Sequence, residues 1–180
     1  MAHILNKTAM KGTILMLEKG HVFVYGTNGV CRVEDISVCD YGAGKKEYYV
    51  LQPVFDARSS LSVPVDSPVL SNHSREVLSK DEIIHIFDDL TDEKSEWIKN
   101  DKERIEIFRK TLENNSFSET ALILKSIYRH KKELVAMGKK LRSSDEAIMQ
   151  RAEKLLFGET AWAFEKDPKE IAPFVKDKIE

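Results

Sequence analysis

The sequence predicts an α+β chain: a small β-barrel domain followed by an all-α domain of about five helices. Two observations carry this. Six of the eight glycines, with Pro53, Pro64 and Pro68, lie before residue 75 and punctuate short β-rich runs. After Ser74 the punctuation changes to helix-capping boxes, each followed by apolar residues at helical spacing.

The strands are read in order. Val22–Tyr25 is the first run, and Val30–Val33, extending to Val38, the second. Glu47–Leu51 and Leu61–Val65 follow, rich in β-branched and aromatic residues. Tyr41–Lys46 reads as a hairpin turn, because Gly42 and Gly44 reach positive φ without a Cβ clash. Short strands with close turns suggest a barrel, since closing the sheet removes its edges.

The helices follow. Ser79-x-x-Glu82, Ser116-x-x-Glu119 and Ser143-x-x-Glu146 each have the capping-box pattern, and Asp167-Pro168 puts proline at a first helical position. Ile83, Ile84 and Phe87 follow the first box. Ala121, Leu124, Ile127 and Tyr128 follow the second, and Ile148, Ala152, Leu155 and Leu156 the third. One further helix carries Ile98, Ile105, Phe108 and Leu112, with Trp97 at the edge of its stripe. Gly138 suits a helix C-terminus. The expected division is a leader or extension at 1–15, a β domain at 16–74 and a helical domain at 75–180.

Hydrophobic residues make up 42% of the chain, enough for a real core, and 32% are charged. The net charge of −2 hides blocks: 75–96 carries −5, 97–142 carries +6 and 143–180 carries −3. A basic block of this kind is either a solvated helical surface or a polyanion contact. No run of about 18 apolar residues suggests a membrane span, and the N-terminus does not read as a secretory signal. Cys31 and Cys39 are too few for a disulfide scaffold or a four-sulfur zinc site, and the five histidines lack metal-ligand spacing. Phosphate loops, nucleophile elbows and zinc-protease motifs are absent from the sequence. The expectation is a cytoplasmic protein without catalytic residues, cofactor, metal or small-molecule substrate.

The run Leu17–Val30, with its glycines, valine-rich strand and Tyr25, resembles the opening motif of the CarD/CdnL family of bacterial transcription regulators. Transcription-repair coupling factor shares that motif in its polymerase-interacting domain. The resemblance continues through Glu47–Leu51, Leu61–Pro64, Trp97 with Lys99 and Lys102, and Leu155–Glu159, covering roughly 17–164. It implies a Tudor/SH3-like β domain that binds the RNA polymerase β subunit. It also implies a helical domain that contacts promoter DNA and stabilises the open complex. The polymerase contacts would involve Val38, Cys39, Leu61, Ser62 and Val63.

The DNA contacts implied are Trp97 as a minor-groove wedge, Lys99 and Lys102 on phosphates beside it, Arg104 in support, and Lys139, Lys140 and Arg142 as a second patch. By spacing alone, Trp97 also reads as a core-edge residue and the second patch as a solvated helix end. The sequence departs from the family at His21, Gly26, Cys31, Cys39 and Ser62, and at Asp145 and Glu146, where some relatives are basic. A protein-interaction adaptor with a Tudor-like domain and no DNA contact is the alternative.

Overall fold

The computed structural model describes residues 17–40, 42, 44–90 and 97–179. The expected leader at 1–15 and the acidic stretch preceding Trp97 lie outside these residues, as do Tyr41 and Ala43 of the hairpin turn. The chain divides into two compact units, Met1–Val77 and Leu78–Glu180.

The first unit is a five-stranded antiparallel sheet: β1 (Val22–Tyr25), β2 (Val30–Asp40), β3 (Lys45–Pro53), β4 (Leu61–Pro64) and β5 (Ser74–Arg75). The strand order is β4-β3-β2-β1-β5. The four strands read from sequence are present, and β5 and a short helix, α1 (Pro68–His73), were not foreseen. Pro68, read as turn punctuation, instead opens α1, where its missing N–H has no helical partner to lose. The expected barrel does not close. Among the described residues β4 and β5 remain the two edges, with four and two residues, and shortness blunts an exposed edge.

A β-bulge decides which side chains face which way. β2 pairs β3 as Val33↔Leu51 and then as Asp35↔Val50, so Glu34 is the extra residue. Cys31 and Val33 point inward with Phe23, Tyr49, Leu51 and Leu70. Past the bulge the parity changes, and Ile36, opposite the buried Tyr49, lies on the inner face, as does Val38. Both extend beyond the core, and Val38 is 61% exposed. The core is closed at the chain's entry by the Tyr49 hydroxyl, which accepts from the Leu17 N–H at 3.0 Å. At the hairpin tip, Gly42 and Gly44 have φ of 94° and 86°, as the turn reading requires.

The second unit has five helices among the described residues: α2 (Lys80–Leu90), α3 (Asp101–Glu113), α4 (Phe117–Ala136), α5 (Ser143–Ala163) and α6 (Pro168–Ile179). Their apolar stripes meet in one core that includes Ile83, Phe87, Leu124, Ile127, Leu156 and Val175. The Ser79 box forms reciprocally: the Glu82 carboxylate accepts from the Ser79 N–H at 2.7 Å, and the Ser79 hydroxyl accepts from the Glu82 N–H. Ser116 caps α4 through the Glu119 N–H, and Asp167 caps α6 beside Pro168. α4 ends at Gly138, φ 68°, with the Lys139 N–H bonded to the Leu134 carbonyl at 2.8 Å, a Schellman closure.

Two local expectations are corrected. The Ser143 box does not form, because α5 starts one residue earlier, with Arg142 at its N-cap and Ser143 already helical. Trp97 and Lys99 do not ride on a helix. Asn100 caps α3, its Oδ1 accepting from the Glu103 N–H at 3.2 Å, so 97–100 is non-helical.

Candidate functional site

The non-helical run ahead of α3 lays Trp97 against α4. The His130 imidazole stacks on the indole with ring centroids 3.8 Å apart and planes 18° from parallel. The Arg104 guanidinium carbon lies 4.2 Å from the indole centroid. At these separations an imidazole and a guanidinium collide if they share a face, so they cover opposite faces. Phe108 closes one edge at 6.4 Å, near perpendicular. Trp97 is half-buried inside a three-sided aromatic and cationic clamp.

Arg104 sets this arrangement. It is 1% exposed and uses four of its five N–H groups. Nε and Nη2 bond the two Asp145 oxygens, each at 2.9 Å. Nη2 also reaches Asp101 at 2.8 Å, and Nη1 donates to the Ile98 carbonyl at 2.8 Å. The bidentate pair joins α3 to α5, and the Ile98 bond ties down the segment that carries Trp97. The expectation of Arg104 as a phosphate contact is therefore corrected: its charge is buried and answered by carboxylates. Asp145, an apparent departure toward repulsion, is 1% exposed and serves as that answer. Its position in the first turn of α5 also suits the helix dipole. Glu146 remains exposed.

The other candidates sit around this clamp. Lys99 is exposed in the run before α3 and Lys102 is exposed in its first turn, so they flank Asn100 and Asp101. Arg142, from the α4–α5 connection, pairs with Asp101 and so joins this group. Lys139 and Lys140 are exposed in the same connection. No sequence pattern linked His130 or Asp145 to Trp97, because helix packing, not spacing, brings α4 and α5 to it.

In the sheet, the candidate polymerase residues divide between two faces. Cys39 and Ser62 lie on the outer face, with Tyr48 and Val50 of β3 between their strands and Ser37 and Pro64 beside them. Val38, Leu61 and Val63 lie on the inner face, and Val63 is core. Tyr48 and Val50 were not singled out from sequence. Their alternation with buried Tyr49 and Leu51 was the available signal. Among the described residues β4 is hydrogen-bonded to β3 alone, so its other backbone edge is open.

A short antiparallel sheet is followed by a helical unit bearing a clamped tryptophan, and the transcription-related, RNA-polymerase-interacting class is supported by the sequence of the sheet unit. Residues 17–70 match the family model of the CarD-like/TRCF RID domain. The match spans β1 to β4 and stops within α1. No curated protein gives a significant match to the chain. Among the described residues, no helix is long and apolar enough to cross a membrane.

Proposed function

We propose that this protein is a cytoplasmic transcription regulator that binds the RNA polymerase β subunit and stabilises the promoter open complex. The match of 17–70 to the CarD-like/TRCF RID domain carries the polymerase half of this reading. The open edge of β4 suits strand addition, in which main-chain bonds supply affinity and tolerate side-chain change such as Cys39 and Ser62. The outer face with Tyr48 and Val50 supplies adjoining contact area.

The helical unit then acts on promoter DNA at high effective concentration, so weak intrinsic affinity suffices. Trp97 is the wedge. Arg104 is fixed by its four bonds, whereas the His130 side chain is 23% exposed and stands 3.6 Å from the Glu133 carboxylate, so the imidazole is the more exchangeable face of the stack. An aromatic pair contributes about 0.5–1.5 kcal/mol, and base–aromatic stacking about 1–3 kcal/mol. Exchange of His130 for an unstacked base is thus near balance, and opened DNA, with its bases already free, tips it. Only such a difference between states shifts the equilibrium. Lys99, Lys102, Lys139 and Lys140 position the backbone without reading sequence. No catalytic step, cofactor or small-molecule substrate enters this reading.

The test is open-promoter lifetime with purified bacterial polymerase, with and without the protein, beside Trp97→Ala. Wild-type lengthening that the variant loses, with polymerase binding intact, is expected. A variant as effective as wild type sinks the wedge. The adaptor without DNA contact has one observation in its favour: Arg104 and Arg142, two of the candidate cations, already face carboxylates. Polymerase co-purification with no lifetime effect would select it.

A further inference from the structure

The helical unit holds a second feature on the far side of α4 from Trp97. Successive helical residues turn by roughly 100°, so Lys125, Tyr128, Lys132 and Val135 lie roughly 140–160° round the helix from His130. These side chains line a groove of about 350 Å³ that α5 and α6 complete with Glu153 and Lys176. Arg129 and Lys131 stand on its flanks.

The groove combines two properties. Its floor is apolar: Tyr128 is largely buried and turns its hydroxyl to Glu153, donating at 2.6 Å, while Val135 is 64% exposed. Its walls are cationic, with five Lys and Arg side chains; the one lining carboxylate, Glu153, accepts from Tyr128, and Arg129 also stands 3.8 Å from the Glu133 carboxylate. Lys125 is steadied by the Leu90 carbonyl. Lysine and arginine stems extend the apolar lining while their charges stay outward.

We infer that this groove is a docking site for an acidic peptide segment of a protein partner, one that carries an apolar or aromatic anchor between its carboxylates. Charge complementarity selects an anionic occupant and steers its approach. The apolar floor selects a peptide over a nucleic-acid backbone, whose phosphates and sugars have nothing to bury there. The placement agrees: a duplex on Trp97 meets the opposite side of a helix about 10–12 Å thick. This inference does not depend on the DNA role of Trp97.

The experiment uses the full chain and three fluorescent probes: a short peptide of Glu and Asp interrupted by phenylalanines, the same peptide with alanines for phenylalanines, and a mixed-sequence DNA duplex. The expected result is saturable binding of the first peptide and at least fivefold weaker binding of the second. Arg129→Glu with Lys132→Glu should lose at least tenfold for the first peptide, and Val135→Asp should lose it independently. All three positions are exposed, and unchanged melting curves check the fold. Trp97→Ala should leave peptide binding intact. Equal binding of both peptides, or binding of neither, overturns the inference. So does loss of duplex but not peptide binding in the charge-reversed variant, which would make the groove a nucleic-acid surface. Concentration-dependent self-association abolished by the same reversal assigns it to a second copy and overturns it equally.

Discussion

Replacing Asp145 with Asn leaves the Arg104 charge in the interior and removes its counter-charge. Both side chains are 2% exposed, and the carboxylate accepts two of the four hydrogen bonds that the guanidinium makes. Breaking a buried pair from one side costs about 3–5 kcal/mol, because the surviving ion has no water to turn to. Asn keeps one acceptor oxygen and Asp101 stays in place, so the lower end, about 3 kcal/mol, is expected. In a unit of about 100 residues each kcal/mol shifts the melting midpoint by about 4–8 °C, so the variant should melt roughly 10–25 °C lower. Replacing both partners, Arg104→Met with Asp145→Leu, should recover most of that loss, since an apolar pair of similar volume needs no solvation. Thermal unfolding by circular dichroism measures both. A Trp162→Phe background leaves Trp97 as the sole tryptophan, and its emission should change in Asp145→Asn while the helices remain folded. An Asp145→Asn midpoint within about 2 °C of wild type would refute the clamp. A double variant less stable than the single one would show that the interior requires the charges themselves.

Four further outcomes are expected. His130→Ala removes the competitor for the indole face and should strengthen binding to bubble DNA by about two- to tenfold, the equivalent of one aromatic pair; weaker binding would show that His130 orients Trp97. Lys99→Gln with Lys102→Gln should reduce the slope of log affinity against log salt by roughly 1.8, at about 0.9 per phosphate released; an unchanged slope points to Lys139 and Lys140. Cys39→Glu with Ser62→Glu places carboxylates on the outer sheet face and should weaken polymerase co-purification without changing the melting curve; retained binding would move the contact elsewhere. His85 should titrate above the ordinary histidine range, raised by a backbone hydrogen bond at His85 and by Asp89, whose carboxylate lies 3.1 Å away. A raised folded-state value means that the stabilisation is complete below the unfolded value and fades as pH rises through the folded one. Proton NMR titration of wild type and Asp89→Asn checks it, and a lowered or ordinary value refutes it.

The sequence by itself determined the kinds of element and most of their limits. Glycines at turns, alternation in Glu47–Leu51 and the serine boxes at Ser79 and Ser116 act within a few residues, so their geometry is local and legible. The RID resemblance was legible for the same reason, through the order of short motifs in 17–70. The corrections came from several sources. The Ser143 box gave way to Arg142 at the N-cap, and Asp145 in that first turn reaches Arg104, 41 residues away. The helical wheel placed Trp97 on a helix that Asn100 does not allow to begin so early. Val38 and Cys39 are neighbours in β2, so alternation puts them on opposite faces, and the bulge at Glu34 decides which of them faces inward.

Only the tertiary structure decided what the charges mean. In the sequence Arg104 is one cation in a basic block and Asp145 one acid in a poor place for DNA. In the fold they neutralise each other and fix the back of an indole whose front is closed by His130. A charge acquires its role from the solvent and partners around it. Those are set by helices packed from distant parts of the chain, which no local pattern records.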